Sequence, residues 1–147
     1  MFSVFIPGPP VAQQRPGVAR KKGGKFSHLY EQEASRAYKG TISLIAKTSY
    51  VGPPYSGPVV LIIEVRRPIP VKWSKKKKED ALNQLIRPTS KPDLTNYEVL
   101  AENALTGIVY HDDAQVVDKF TRKVYAQEPG LRITVRAVGE HENTKKS

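Results

Sequence analysis

The chain is 147 residues long, enough for one domain with a real core, and its 39% hydrophobic and 26% charged residues are ordinary for a soluble globular protein. Lys and Arg total 24 against 14 Asp and Glu, a net charge of +10 that favours a polyanionic partner, nucleic acid before an anionic membrane. Without cysteine, disulfide and thiolate-zinc chemistry are excluded and a reducing compartment is compatible; no apolar run approaches a membrane span and no secretory pattern opens the chain, so the cytoplasm is expected.

Residues 2–6 alternate and stop at Pro7-Gly8-Pro9-Pro10, which predicts a short strand ending in a turn. Residues 11–27 carry Arg15, Arg20, Lys21, Lys22 and Lys25 among three glycines, as in a mobile basic loop or hairpin. From Leu29 to about Ala46 the period is helical, with Tyr30, Ala34, Ala37, Tyr38, Ile42 and Ile45 near one stripe. Gly52 to Pro58 links elements within a domain. Val59 to Arg66 is rich in β-branched residues and reads as a central strand ended by Pro68 and Pro70.

Lys75, Lys76, Lys77 and Lys78 follow Trp73, and four successive lysines cannot share a buried face, so an exposed helix start or loop is expected. Tyr97, Leu100, Ala101, Ala104 and Leu105 have the i, i+3, i+4, i+7, i+8 spacing of a buried helical stripe. Thr95-x-x-Glu98 has the form of a capping box, and Gly107 stands where a left-handed cap would end the helix. Strands are expected from Ala114 to Tyr125 and from Leu131 to Val138, around the Glu128-Pro129-Gly130 turn. The residues from 139 onward form a polar tail expected to fray, leaving a domain of residues 1–138. The order implies an α+β fold, one mixed β-sheet packed against helices.

The chemistry concentrates in residues 91–118. Asp93 precedes the helix, and the adjacent Asp112 and Asp113 follow it. Phosphodiester chemistry uses hard divalent cations, which take carboxylate oxygens, so a few acids in a basic field suggest a nuclease. If Thr95 caps the helix, Asp93 is released from that task. If Asp112 and Asp113 begin a strand, neighbouring side chains face opposite ways and Asp113 is preferred as the ligand. His111 beside them reads as a surface turn residue. Lys119, Arg122 and Lys123 are candidates for contacting a nucleic-acid backbone, with Asp118 pairing among them. No Walker-type loop, Ser-His-Asp arrangement or CxxC pair is present.

Ile6-Pro7-Gly8-Pro9-Pro10 through Arg15-Pro16, Trp73-Ser74-Lys75-Lys76-Lys77, Lys91-Pro92-Asp93, Asn96, Ala104-Leu105, Gly107 and Asp112-Asp113-Ala114-Gln115-Val116 together resemble the RusA-type Holliday junction resolvases. The resemblance spans roughly residues 4–137. It implies a small homodimeric endonuclease, phage or prophage encoded, that resolves four-way DNA junctions by paired symmetric nicks. Mg²⁺ or Mn²⁺ would be the cofactor, with no organic cofactor and no membrane partner. By the same resemblance, Asp93 and Asp113 are the metal-binding and catalytic acids, and Asp112 assists.

DNA would lie across Arg15, Arg20, Lys21, Lys22, Trp73, Lys75 to Lys78, Lys91, Asn96 and Lys119. The family often places Asp, Lys and Asp where this chain has Thr95, Val99 and Asn103. Asn96, Val99 and Asn103 share one helical face, which is here neutral, and Glu98 and Glu102 fall on the other flank of the stripe. That difference keeps open a non-catalytic binder of branched DNA with a degenerate metal site. An RNA-binding protein is disfavoured because Asp112 and Asp113 would repel the partner.

Overall fold

A computed structural model describes residues 1–14, 17–20, 27–30 and 32–140. Strand β1 (Phe2–Pro7) and the hairpin β2 (Gly17–Arg20) and β3 (Ser27–Tyr30) precede helix α1 (Glu33–Ser49). Then come β4 (Val59–Pro68), α2 (Lys75–Leu82), α3 (Leu94–Leu105), a single 3₁₀ turn (Asp113–Gln115), β5 (Val116–Ala126) and β6 (Gly130–Ala137). The result is the expected α+β domain. A four-stranded sheet of order β1-β6-β4-β5 is mixed, because β4 pairs antiparallel with β6 and parallel with β5.

Alternation decides which face is covered. Phe2, Val4 and Ile6 of β1, Val59, Leu61, Ile63 and Val65 of β4, and Leu131, Ile133 and Val135 of β6 are buried together with the inner stripes of α1 and α3. The opposite face carries Phe5, Glu64, Arg66, Phe120, Arg122 and Arg132; the guanidinium groups of Arg66 and Arg132 lie 5.3 and 5.2 Å from the Phe5 ring centre. Gly130 sits under that ring, where a Cβ would stand 2.3 Å from Phe5 Cζ, so the strand can start there only with glycine. Among the described residues no helix is long and apolar enough to cross a membrane.

Several expected boundaries move. The first long helix begins at Glu33 and runs to Ser49, with Tyr30 in β3. Ala34 and Ala37 are exposed, and the buried positions are Ser35, Ile42 and Ala46, with Tyr38 and Ile45 packed beside them. Residues 114 and 115 belong to the 3₁₀ turn rather than to a strand. At the other end Glu140 is tied down, accepting hydrogen bonds from the Met1 amino group, from Ala137 N–H at 2.9 Å and from the Tyr55 hydroxyl at 3.3 Å. The remainder of the expected tail, residues 141–147, lies outside the described residues, as do Arg15, Lys21 and Lys22. For Arg20 the backbone alone is described, as part of β2.

Candidate active site and nucleic-acid surface

Helix α3 starts one residue earlier than the capping box implied. Asp93 is the N-cap residue, in extended conformation, and Thr95 lies inside the first turn, so the Thr95–Glu98 box does not form. Asp93 makes no side-chain capping bond, which leaves its exposed carboxylate uncommitted to the helix even though the expected reason was wrong. The segment before it is held from β4 and β5. Lys123 Nζ donates to the carbonyls of Ser90 and Pro92, both at 3.0 Å, and Arg67 donates to Ser90 O and Oγ at 3.4 Å. Lys123 therefore fixes the approach to Asp93, and sequence reasoning had assigned it to DNA. Pro10 to Gln14 pass beside it, with Gln13 N–H donating to Asn96 O at 2.9 Å, and an open cleft there is lined by Lys91, Pro92 and Asn96.

The second acidic block is a capped turn. Asp112 accepts from Ala114 N–H at 2.9 Å, and that bond, followed by the interaction with Asp113, holds its carboxyl below the usual range. The expectation that Asp112 and Asp113 point apart as strand neighbours fails, because neither lies in a strand. Asp112 is the N-cap of the 3₁₀ turn and Asp113 its first residue. Asp112 is spent on the turn, while Asp113 is exposed and has no capping role.

Gln115 locks the arrangement, and sequence reasoning gave it no role. Its Oε1 accepts from His111 N–H (2.8 Å) and Asp112 N–H (2.9 Å), while its Nε2 donates to Tyr55 O (2.9 Å) and Gly57 O (2.8 Å). A glutamine three residues after an Asp is a capping-box signal that could have revealed it.

The two acidic blocks stand apart within one chain. Tyr110, just before the second block, donates its hydroxyl to Glu102 O at 3.0 Å near the C-terminal end of α3. Lys119 reaches Glu102 and Glu98 at 3.2 and 3.6 Å, and Lys123 reaches Pro92 O at 3.0 Å, so α3 runs antiparallel to β5. Its 12 residues put Asp93 and Asp113 at opposite ends. That is roughly 18 Å of helix. No group of three or more His, Asp and Glu that could hold a metal ion occurs among the described residues. Separated by that helix, Asp93 and Asp113 of one chain do not reach the same divalent cation, whose oxygen ligands lie at about 2–2.6 Å.

The remaining candidates divide by partner. Burial pulls the Lys119 ammonium down, but Glu102 and Glu98 outweigh it and hold its pKa above the usual value. Those two glutamates are thereby engaged, as is Arg122 by Glu64. Trp73 is packed edge-on against Tyr125 (5.1 Å between ring centres) with Lys77 Nζ 4.2 Å above the indole. Lys75 to Lys78 form the start of α2, capped by Ser74, which accepts from Lys77 N–H; Lys76 pairs with Asp80 at 2.8 Å. Lys91 and Asn96 are exposed near Asp93, and His111 is exposed beyond the helix.

Residues 7–136 match the family described as endodeoxyribonuclease RusA. The chain belongs to the RusA family. The chain is also 39% identical over 139 residues, covering 93% of this chain and 95% of the relative, to the uncharacterized protein YqaN of Bacillus subtilis strain 168. The RusA match takes in both acidic blocks, α2 with its lysines, and the cleft beside Asn96. As a RusA protein the chain is of an endodeoxyribonuclease family, and its helix α3 carries the uncharged residues Asn96, Val99 and Asn103.

Proposed function

We propose that this protein is an endonuclease that resolves four-way DNA junctions by paired nicks, acting as a homodimer and depending on Mg²⁺ or Mn²⁺. Asp93 and Asp113 carry the chemistry, and Asp112 shapes the turn that presents Asp113. The observation that carries the reading is that a chain of net charge +10 holds two acidic blocks, each with one exposed carboxylate that caps no helix or turn.

Their separation along α3 supports a dimer. A twofold axis that sets α3 antiparallel to its counterpart brings Asp93 of one protomer towards Asp113 of the partner subunit. The proposed reaction is hydrolysis of a phosphodiester P–O bond in each of two opposed strands. The test is nicking of a synthetic four-way junction with Mg²⁺, Mn²⁺ or a chelator. Paired nicks that vanish with chelator support it, and a pure protein that binds junctions without cutting in either metal overturns it.

The neutral α3 face favours a second reading, a branched-DNA binder without cleavage. Thr95→Asp with Val99→Lys separates the two. Thr95 is exposed in the first turn, where an acid is stabilised by the helix dipole, and half-buried Val99 can be replaced by a lysine whose head reaches water. In an active but weakened enzyme the double variant should cut faster or saturate at lower Mg²⁺. An unchanged rate would show that Thr95 and Val99 are not deficits.

The lysines of α2 have a separate test. Each lost phosphate contact reduces the slope of log affinity against log salt by roughly 0.9. Replacing Lys75, Lys76, Lys77 and Lys78 by Gln should weaken junction and duplex binding together and flatten that slope. Unaltered affinity and slope would leave the run as solvated surface.

A further inference from the structure

The sheet has one packed face and one open face. Helices α1 and α3 cover the side that carries the core. On the other side Ile62, Glu64 and Arg66 are only half-buried, although β4 is an inner strand. Phe120 is 61% exposed there, and it lines an open cavity of about 490 Å³ with Ile62, Thr134, Arg122 and Arg132. A single exposed apolar side chain is ordinary in a soluble protein. Here the exposed ring belongs to a larger pattern.

Strand register sets two aromatics among cations. Across the open face Phe5 stands opposite Arg132, Arg132 opposite Glu64, and Glu64 opposite Arg122. The neighbouring row holds Ser3, Thr134, Ile62 and Phe120. Phe5 and Phe120 thus end a diagonal of three strand spacings across and one two-residue step along, roughly 16 Å. Phe5 lies across Gly130, with the guanidinium groups of Arg66 and Arg132 beside its ring. By alternation Arg136 and Asp118 share this face, so four arginines outnumber the two acids Glu64 and Asp118. Glu64 accepts from Arg122 Nε at 3.0 Å, and Arg136 donates to Glu140 O at 2.9 Å. Among the described residues no acid pairs with Arg132, whose neighbour is the Phe5 ring.

Aromatic rings spaced along a cationic groove are what unpaired nucleotides bind. Bases stack on the rings and on guanidinium planes, and arginines take the phosphates, whatever the base sequence. Duplex DNA offers phosphates but no free base faces. We infer that the open face of the β1-β6-β4-β5 sheet binds a single strand of DNA, with bases stacked on Phe5 and Phe120 and phosphates met by Arg66, Arg122 and Arg132. It is a second DNA surface, across the sheet from α3 and Asp93, and it engages a substrate arm where that arm is unpaired. The inference rests on DNA being the partner, as in the reading above, and not on cleavage.

The probe is a fluorescein-labelled oligothymidylate of about 12 nucleotides, within the range of site sizes for such grooves. A duplex of the same length is the comparison, and both are titrated in chelator so that no strand is cut. Phe120→Leu, apolar but without a ring, should weaken oligothymidylate binding about 5-fold or more and leave duplex binding unchanged. Phe120→Trp should bind at least as tightly as the wild type. Arg132→Gln should reduce the slope of log affinity against log salt by roughly 0.7, the value for one single-strand phosphate contact. Both side chains are exposed, so melting temperatures should hold. No binding by the wild type, wild-type affinity in Phe120→Leu, or an equal loss on duplex would overturn the inference. So would a Phe120→Leu variant that sediments as a monomer where the wild type is a dimer, because the face would then belong to a second copy. A wild type that nicks junctions without binding oligothymidylate refutes the surface and spares the nuclease, and one that binds it without ever nicking does the reverse.

Discussion

Asp93→Asn and Asp113→Asn should each lose at least about 10²-fold in nicking rate while binding four-way junctions as tightly as the wild type or more so. The magnitude is that of removing one group that stabilises charge developing in the transition state. Removing a carboxylate also relieves repulsion of phosphate, so affinity should not fall. Both side chains are exposed and neither makes a capping bond, so the amide costs the fold little, and melting temperatures should stay near that of the wild type.

The two inactive variants together report where the acids meet. If each site takes Asp93 from one chain and Asp113 from the other, a mixed dimer holds one intact site. Co-refolding the variants should then recover about a quarter of wild-type sites, since about half the dimers are mixed and each has one good site of two. Sites contained within one chain would recover nothing. Wild-type rates from either single variant would remove that residue from the chemistry.

Gln115→Ala should damage both stability and cleavage. The side chain satisfies two N–H groups and two carbonyls, joining the Asp112–Asp113 turn to the segment before β4. Those groups are near enough to solvent for water to replace some bonds, so the expected loss is about 1–3 kcal/mol rather than the sum of four. Cleavage should fall further than stability explains at a temperature where the variant is fully folded, because the turn carrying Asp113 is no longer pinned. Gln115→Glu sharpens the test. It keeps the acceptor for His111 and Asp112 but cannot donate to Tyr55 and Gly57, and it brings another negative charge beside two aspartates. It should be no better than alanine, and wild-type cleavage in either variant would show that the turn holds its shape unaided.

Much of the fold is legible in the chain because it is local. The stripe Tyr97, Leu100, Ala101, Ala104 and Leu105 reads as a helix and is buried as one, and Gly107 takes the left-handed conformation, φ +85°, that ends it. The β-branched run from Val59 becomes an inner strand, and the polar and apolar alternation of β1 survives as burial on one side. Both acidic blocks also stand out by residue type and spacing, within the match to the RusA family.

Tertiary structure decided what those residues do, because partners distant in sequence compete for each side chain. Thr95 loses the cap to Asp93 once the Ser90–Pro92 segment is held by Lys123 and Arg67 from β5 and β4. Lys119 looks like a free cation in sequence, but antiparallel packing of α3 on β5 delivers it to Glu98 and Glu102. The 18 positions between Asp93 and Asp112 give no distance; the helix lying between them does, and it keeps the acids of one chain apart. Composition and motif thus pointed to the class of chemistry and to candidate residues for it. Their spatial relation depended on strand order and helix direction, which are set by nonlocal pairing that no local pattern encodes.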